Sequence, residues 1–365
     1  MIKNLNVKVG PQFYRYSKDA ILLVPEILKE YQVKRILVIH GTISWKKAKP
    51  FLDQALNQEW EIIYEQYNGE CSYNEGNRIA KIIAENEIDF TIGVGGGKLA
   101  DLVLYASHLA NIPFGIIPTL ASNCAPFTSL SVMYKDNGLS EGRLEFVNRQ
   151  AAFLITDPAL IMDAPVRYFI AGIADTLAKW YESDLILEQE KFQQEPFLQM
   201  KRFAARMCKE TILNESKKAI EDMKAGVISE EFLHVSEIII AIAGLVGGFG
   251  EQYSNTAAHA MHDAISATLK EVHPYLHGEK VAYGIFYQLA LEGKWSTIEE
   301  LIPLYKELNL PKSLTEIGVY PMSEHTMKSI IQFINDNPEV HLLPLEINEE
   351  ILTQTLIQLE QYISR

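Results

Sequence analysis

The chain has 365 residues, of which 48% are hydrophobic and 22% are charged. At about 150 residues per domain this length predicts two domains with some additional structure, and the composition excludes a disordered or fibrous protein. The 33 basic and 47 acidic side chains give a net charge of −14, which argues against a nucleic-acid or anionic-membrane surface. We therefore expect a small-molecule substrate, and neither a nucleic acid nor a membrane as a partner.

The N-terminus and the cysteines indicate the compartment. The first residues lack the apolar stretch of a signal peptide, and no run approaches the ~20 apolar residues that cross a bilayer. The three cysteines, Cys71, Cys124 and Cys208, are far apart and form no CxxC pair, so neither a disulfide framework nor a thiolate zinc site is indicated. We expect a cytoplasmic protein.

Short β-branched runs alternate with helical stretches in the first part of the chain. They predict strands at 35–40, 61–64, 88–94 and 114–118 and helices at 19–31, 73–86 and 99–109. Such alternation favours a mostly parallel sheet with helices on both faces. After about Pro165 helical periodicity dominates, over 168–187, 197–214, 230–247, 255–269, 281–291, 297–308, 325–335 and 348–364. The sequence thus predicts a Rossmann-like α/β nucleotide-binding domain over 1–163 and an all-helical domain over 164–365.

A glycine turn joins the third predicted strand to the next helix. Gly95, Gly96, Gly97 and Lys98 follow the run Ile92-Gly-Val94 directly and precede the helix. Glycines allow the backbone to approach a pyrophosphate, and the amides and dipole of a helix N-terminus stabilise its charge. The turn lacks the third glycine of GxGxxG and the Gly-Lys-Ser/Thr of a P-loop. A tight connection without a ligand therefore remains an alternative from the turn alone.

Four of the nine histidines cluster between residues 259 and 277. His259 and His262 are three apart and project from one helix face, and the connection that follows is long enough to return His277 to His259. Asp175 lies among small apolar residues, where an unpaired charge is costly. Two imidazoles and one carboxylate suit zinc or ferrous iron with one coordination position open. From spacing alone, ordinary surface or hydrogen-bonded histidines remain an equal alternative.

These residues resemble the iron-containing alcohol dehydrogenase superfamily, in its glycerol dehydrogenase-like branch. The resemblance spans almost the whole chain. It rests on Gly-Gly-Gly-Lys-Leu-Ala-Asp101, Pro118-Thr-Leu-Ala-Ser122, Leu130-Ser-Val-Met-Tyr134, Ala171-Gly-Ile-Ala-Asp175, His259-Ala-Met-His262 and His277-Gly-Glu-Lys-Val-Ala. It implies an N-terminal nucleotide domain and a C-terminal helical domain, an architecture shared with dehydroquinate synthase. It also implies one divalent metal, Zn or Fe(II), at Asp175, His259 and His277.

The resemblance also implies how a nicotinamide cofactor is bound. Gly95, Gly96, Gly97 and Lys98 would hold the pyrophosphate, and His262 would lie beside the metal near the nicotinamide. The rest of the cofactor path would be lined by Asp101, Thr119, Ser122, Thr128, Leu130 and Tyr134. For Leu130 and Tyr134, ordinary core packing is the alternative.

Three departures put a polyol substrate in doubt. Where glycerol dehydrogenases have an aspartate that contacts glycerol, this chain has Cys124. One turn after the metal aspartate it has Lys179, where those enzymes usually have a neutral residue. After the second histidine it has Asp263-Ala264, where they have Asn-Gly. Cys124, Thr-Leu-Ala-Lys-Trp180 and Val340-His-Leu-Leu-Pro344 look more like the hydroxycarboxylate dehydrogenases, which reduce 2-oxo acids.

We therefore expect reduction of a small 2-oxo acid to the 2-hydroxy acid by hydride transfer, with glycerol oxidation by NAD as the alternative. Lys179, on the helix face of Asp175, is the candidate partner of the substrate carboxylate, and a surface lysine is its alternative. Cys124 is interpreted as a specificity residue in a small pocket wall, in preference to a nucleophile, because no base is identifiable beside it.

The turn after the first predicted strand bears on the choice between NAD and NADP. It reads His40-Gly-Thr-Ile-Ser-Trp-Lys46-Lys47, without the carboxylate that commonly binds the ribose in NAD-preferring enzymes. This favours NADPH over NADH. A dehydroquinate synthase, a nucleotide-binding sensor and a ferrous oxygenase fit the residues less well, and we expect a homo-oligomer.

Overall fold

The structure is a computed structural model that describes residues 5–56, 59–250 and 252–365. The chain divides into two compact units. The sheet unit comprises the described parts of Lys8–Phe169 together with Glu215–Gly248, and the helical unit comprises residues 5–7, Ile170–Asn214 and the described parts of Phe249–Arg365.

The sheet unit contains the strands. In chain order they are β1 (Phe13–Tyr16), β2 (Arg35–His40), β3 (Glu61–Gln66), β4 (Phe90–Gly95), β5 (Phe114–Pro118), β6 (Leu130–Tyr134), β7 (Ser140–Phe146) and β8 (Phe153–Thr156). Six of them form a parallel sheet in the order β1-β8-β5-β4-β2-β3, and β6 and β7 form a separate antiparallel pair. Every residue of β4, β5 and β8 is buried, as expected for central strands of a sheet covered on both faces.

The predicted helices are present, but the one predicted over 197–214 extends to Ala225, and the helix over Ile43–Ala55 was not predicted. In chain order the helices are α1 (Val24–Glu30), α2 (Ile43–Ala55), α3 (Tyr73–Glu85), α4 (Gly97–Ala110), α5 (Pro158–Met162), α6 (Val166–Leu187), α7 (Glu190–Gln193), α8 (Pro196–Ala225), α9 (Glu230–Glu237), α10 (Ala243–Gly248), α11 (Ala257–Thr268), α12 (His277–Leu291), α13 (Trp295–Leu308), α14 (Leu314–Ile317), α15 (Glu324–Asn335) and α16 (Glu349–Ile363). The predicted fold class, a parallel α/β part followed by a helical part, is confirmed.

The division into units differs from the predicted one at 163/164. The change falls at 169/170, and Glu215–Gly248, predicted within the helical domain, groups with the strands. Side-chain contacts give the reason. The Tyr14 hydroxyl on β1 donates to Glu237 at 3.0 Å, and the Phe232 ring lies 5.6 Å from that of Phe169. Helical periodicity indicates that a segment is a helix, but not which unit its apolar face packs against.

The segment from α9 to α10 also corrects an expectation. Residues Glu230–Gly248, with a π-helical turn at Ile238–Ile242, are long and apolar enough to cross a bilayer, with mean hydropathy 1.6. Length and composition alone do not separate a membrane span from a core helix. More than half, 56%, of its most apolar 18-residue stretch is buried in this structure. Ile239, Ile240 and Val246 are fully or almost fully buried, as core helix residues are.

Candidate metal and nucleotide sites

One face of α6 carries three ionisable residues. Asp175, Lys179 and Glu182 are separated by four and three residues, so they share that face. All three are buried, at 3%, 6% and 0% exposure. Burying charged groups is costly unless they are paired or bind a cation. This face of α6 is therefore a candidate for chemistry instead of ordinary packing.

The structure brings the three predicted metal ligands together, and all of them belong to the helical unit. One ligand atom from each of Asp175, His259 and His277 lies within 4.8 Å of the others. The Nε2 atoms of His259 and His277 each stand 3.3 Å from Asp175 Oδ1. Two ligands bonded at about 2.0–2.1 Å to a tetrahedral Zn²⁺ are about 3.3–3.4 Å apart.

A second observation supports a cation at this point. Buried Asp175 Oδ1 makes no hydrogen bond of good geometry to residues 5–56, 59–250 and 252–365, although two imidazole nitrogens stand 3.3 Å from it. An unsatisfied buried carboxylate oxygen is costly, and a metal ion would satisfy it. The donor set of two imidazoles and one carboxylate fits Zn²⁺ or Fe²⁺.

Glu182 holds His259 from the side opposite Asp175. Its Oε2 accepts a hydrogen bond from His259 Nδ1 at 2.5 Å. Its Oε1 accepts from the backbone N–H groups of Thr256 at 2.7 Å and His259 at 2.9 Å, at the start of α11. The imidazole is thus fixed between two carboxylates of α6.

His262 lies next to His277 and not against the metal-ligand face of His259. His262 Nε2 is 3.1 Å from His277 Nδ1, and His262 Nδ1 is 2.9 Å from Asp263 Oδ1. If Nε2 of His277 binds a metal, its Nδ1 carries the proton and donates to His262. Burial and the neighbouring His277 lower the pKa of His262 to about 3, so this ring is neutral and can accept that bond.

The ligands of the metal-free protein hold a proton that a metal would displace. Burial alone would raise the pKa of Asp175, but Lys179 and the two histidines hold it well below its usual value. Burial alone would lower the pKa of His259, but Glu182 and Asp175 raise it to about 9. At neutral pH the free site therefore contains an imidazolium between two carboxylates, and metal binding releases that proton.

Two glycines of α12 allow neighbouring helices to approach it closely. A Cβ atom at Gly278 would lie 1.8 Å from the carbonyl oxygen of Ala171 on α6. A Cβ atom at Gly284 would lie 2.2 Å from the carbonyl oxygen of Ala258 on α11. Since Gly278 follows His277, and Ala171 and Ala258 stand close before Asp175 and His259, main-chain contacts fix the spacing of the ligands.

Lys179 is placed at the same cluster. Its Nζ lies 3.9 Å from Asp175 Oδ1, and the side chain is almost fully buried. The surface-lysine alternative is therefore wrong. A buried ammonium beside the ligand carboxylate is suited to bind a second, exogenous carboxylate.

The glycine turn lies in the sheet unit, where β4 ends at Gly95 and α4 begins at Gly97. The backbone N–H of Thr119, after β5, donates to the Gly95 carbonyl at 3.0 Å, so the ends of two adjacent parallel strands meet here. That edge of a parallel sheet is where ligands bind in open α/β folds. Thr119 Oγ1 is buried, and the described chain offers it no hydrogen-bond partner.

Several predicted cofactor residues, Lys98 and Asp101 among them, have protein partners in this structure. Lys98 Nζ lies 2.6 Å and 2.8 Å from the carboxylate oxygens of Glu70 and 4.6 Å from the centre of the Tyr134 ring. Asp101 is buried and accepts from the Val132 N–H at 3.2 Å, and burial raises its pKa to about 8. Asp101 therefore connects α4 to β6, and a direct cofactor contact remains a prediction.

The other predicted residues lie between β5 and the end of β6. Leu130 and Tyr134 are half-buried and alternate along β6 with buried Ser131 and Met133, and a cofactor contact for either stays a prediction. Ser122, Thr128 and Cys124 are half-buried. Cys124 directly precedes a short 3₁₀ turn, Ala125–Phe127, and its specificity role stays a prediction.

In the turn after β2, two aromatic rings stack on each other. The His40 ring lies 4.3 Å from that of Trp45 at an angle of 12°. Lys46 is exposed. Lys47 Nζ is 2.5 Å from the carbonyl oxygen of Asp163 and 3.5 Å from its carboxylate. Of the two lysines that favour NADPH, Lys47 thus has a protein partner.

Sequence reasoning missed Glu182 and Glu70. Glu182 stands seven residues after Asp175, two helical turns along the same face, and this spacing could have identified it. Glu70 lies in a loop 28 residues before Lys98, and no local pattern relates the two.

Comparison with known proteins then defines the family. Residues 11–159 match the family described as "Iron-containing alcohol dehydrogenase". Hydroxycarboxylate dehydrogenase A of Escherichia coli (strain K12) is 30% identical over 98% of this chain and 98% of its own length. A glycerol dehydrogenase of Thermotoga maritima is 31% identical, again over 98% of both chains. The chain belongs to the iron-containing alcohol dehydrogenase family.

The solved structures agree with this assignment. A probable glycerol dehydrogenase from Sinorhizobium meliloti 1021 superposes with a TM-score of 0.85 at 25% identity, over 98% of this chain and 99% of that one. This dehydrogenase is therefore an oxidoreductase of a family that uses a nicotinamide dinucleotide and a divalent metal. Its relatives include both a hydroxycarboxylate dehydrogenase and glycerol dehydrogenases, so membership of the family does not decide between the two substrate classes.

Proposed function

We propose that this dehydrogenase reduces a small 2-oxo acid to the 2-hydroxy acid with NAD(P)H, in a metal-dependent reaction. The observation that carries the proposal is the buried ammonium of Lys179, 3.9 Å from Asp175 Oδ1. A charge-assisted hydrogen bond from a buried lysine to a carboxylate distinguishes a 2-oxo acid from a neutral ketone.

A charge count supports the same substrate class. Asp175 and Glu182 contribute two negative charges, Lys179 one positive charge and a divalent cation two, while the imidazoles are neutral when they bind metal. These four groups then have one net positive charge. Excess charge in a buried site is costly, and the carboxylate of a 2-oxo acid neutralises it, whereas an uncharged polyol does not.

The residues divide the chemistry among them. Asp175, His259 and His277 would hold the metal, which when bound supplies a Lewis acid that polarises the ketone oxygen. Gly95, Gly96, Gly97 and Lys98, with Asp101, Thr119, Ser122, Thr128, Leu130 and Tyr134, would hold the dinucleotide that provides the hydride. Lys179 orients the substrate carboxylate, and His262 holds His277. Cys124 stands where polyol-binding enzymes have an aspartate, so no protein carboxylate at that position repels the substrate.

Three further assignments belong to the proposal. We assign the cytoplasm as its compartment. We assign NADPH as its preferred cofactor, because exposed Lys46 stands after β2 and no carboxylate does. We also propose a homo-oligomer. Phe197, Met200, Phe203 and Met207 form an apolar stripe on α8 and are 36–55% exposed. The four side chains lie on one side of the helix, and a symmetry-related copy can cover the stripe that they form.

A second candidate is oxidation of glycerol with NAD. It is favoured by the glycerol dehydrogenases that match 98% of this chain, as fully as hydroxycarboxylate dehydrogenase A does. Cys124 and Lys179 oppose it.

One experiment tests both candidates. The protein is stripped of metal, reloaded with Zn²⁺ or Fe²⁺, and assayed by nicotinamide absorbance with NADPH or NADH and 2-oxobutyrate, 2-oxoglutarate or dihydroxyacetone. We expect metal-dependent turnover with the 2-oxo acids. A preference for dihydroxyacetone would overturn the proposal in favour of glycerol oxidation.

A further inference from the structure

We propose that Glu182 is a positioning residue of the metal site, which keeps the proton of His259 on Nδ1 and so presents Nε2 to the metal. This inference rests on the metal site of the proposed function. Glu182 is not one of the three ligands and lies on the far side of the His259 ring.

The hydrogen bonds around the Glu182 carboxylate allow one arrangement of donors and acceptors. Three N–H groups converge on its two oxygens: Oε1 accepts from the backbone of Thr256 and His259, and Oε2 accepts from the His259 ring at 2.5 Å. The side chain is fully buried, so water cannot substitute for any of these partners. A carboxylate accepts at both oxygens, and only an acceptor-only group matches three donors.

The position of Glu182 on α6 makes the arrangement rigid. Asp175 and Glu182 are two helical turns apart on one face, and the His259 imidazole is held between them, with Nε2 at 3.3 Å from Asp175 Oδ1. The backbone bonds to Thr256 and His259 fix the start of α11 to the same carboxylate. One side chain thus fixes both the backbone and the ring of the ligand.

Glu182→Gln would break this match while keeping the size of the side chain. The amide has one acceptor oxygen and one NH₂ group. If its oxygen stays with the two backbone donors, the NH₂ group faces Nδ1, which must then become an acceptor. The proton moves to Nε2, where it blocks the metal.

The proposal is tested by metal affinity, measured without turnover. Zn²⁺ is titrated into the metal-free full-length protein in competition with a chromophoric chelator, for the wild type, Glu182→Gln and Glu182→Asp. We expect Glu182→Gln to bind Zn²⁺ about 10–100-fold more weakly, the usual effect of losing a group that orients a ligand. Glu182→Asp, which keeps an acceptor-only group, should recover part of the loss.

Glu360→Gln is the matched control. Glu360 is also a buried carboxylate in the helical unit that accepts from two backbone N–H groups, those of Leu314 and Thr315, but its hydrogen-bond partners include no histidine. Its variant should lose stability without losing Zn²⁺ affinity. Should Glu182→Gln not fold, the comparison of Glu182→Asp with the wild type takes its place.

A second measurement shows directly which ring nitrogen of His259 carries the proton. In histidine-labelled, zinc-loaded wild-type protein, long-range ¹H–¹⁵N correlation should show His259 protonated at Nδ1. Equal Zn²⁺ affinity in Glu182→Gln, or a His259 ring without a proton at Nδ1, would overturn the role of Glu182 and leave the proposed function intact. Failure of the wild type to bind either Zn²⁺ or Fe²⁺ would instead overturn the metal site itself, and with it the proposed function.

Discussion

Replacing Lys179 by methionine separates the two candidate substrates. Methionine keeps the length and apolar character of the lysine stem but removes the ammonium, which lies 3.9 Å from Asp175 Oδ1 in a site shielded from water. The variant should bind 2-oxo acids more weakly and dihydroxyacetone as well as before.

The magnitude follows from the burial of Lys179. Two unit charges about 4 Å apart interact by about 4 kcal/mol at an effective dielectric constant of about 20. The net value of a hydrogen bond to a charged group is smaller, about 1.5–3 kcal/mol, because both partners lose water. At about 1.4 kcal/mol per factor of ten, a loss of about 2 kcal/mol corresponds to a roughly 30-fold increase in KM.

The assay is the steady-state rate of NAD(P)H oxidation with 2-oxobutyrate and with dihydroxyacetone. Because the carboxylate contact is present both before and during hydride transfer, KM should increase while kcat changes little. Lys209→Met is the control, since Lys209 stacks over the Trp180 ring, 4.5 Å from its centre, and its loss removes an equal charge. An unchanged KM for 2-oxobutyrate in Lys179→Met would refute the assignment of Lys179.

Three other changes test separate parts of the structure. Cys124→Asp should lower kcat/KM for 2-oxobutyrate by about tenfold or more through repulsion of the substrate carboxylate. Cys124→Ser should not lower it, and equal activity of the two variants would count against a specificity role. Zn²⁺ affinity should increase with pH up to about 9, by up to tenfold per pH unit, because binding displaces the His259 proton; a flat profile in the chelator competition would contradict that protonation state. Phe203→Glu should shift the protein to a smaller species in sedimentation velocity, whereas Leu213→Glu, also exposed on α8 but outside the stripe, should not; an unchanged distribution would exclude the stripe as an interface.

The sequence predicted strands β2 to β5 and most of the long helices because their patterns are local. β2 and β5 begin and end at the predicted residues, since each is a short, mostly apolar run of the kind that forms a buried strand. β1 and β8, four residues each, were missed. Runs of that length are strands only because they pair with each other in the sheet, which no local pattern encodes.

The metal ligands were predictable for a different reason. Helical spacing places His259 near His262, the length of the connection allows His277 to return to His259, and the small apolar neighbours of Asp175 single it out. The resemblance then implied all three as metal ligands. Neither argument could show that Glu182 would reach the far nitrogen of His259, because this depends on how α6 and α11 pack. Likewise, the pairing of Lys98 with Glu70 depends on the path of a loop.

The two glycines of α12 determine how this site can change. Because Gly278 and Gly284 set α12 against main-chain atoms of Ala171 and Ala258, the separation of the three helices does not depend on the size of the surrounding side chains. Residues around the substrate, such as Lys179, can then be replaced while the ligand atoms keep their positions. One rigid framework can therefore serve substrates of different charge, and selectivity becomes a matter of a few side chains. A methyl group added at either glycine would instead alter every substrate's reaction alike.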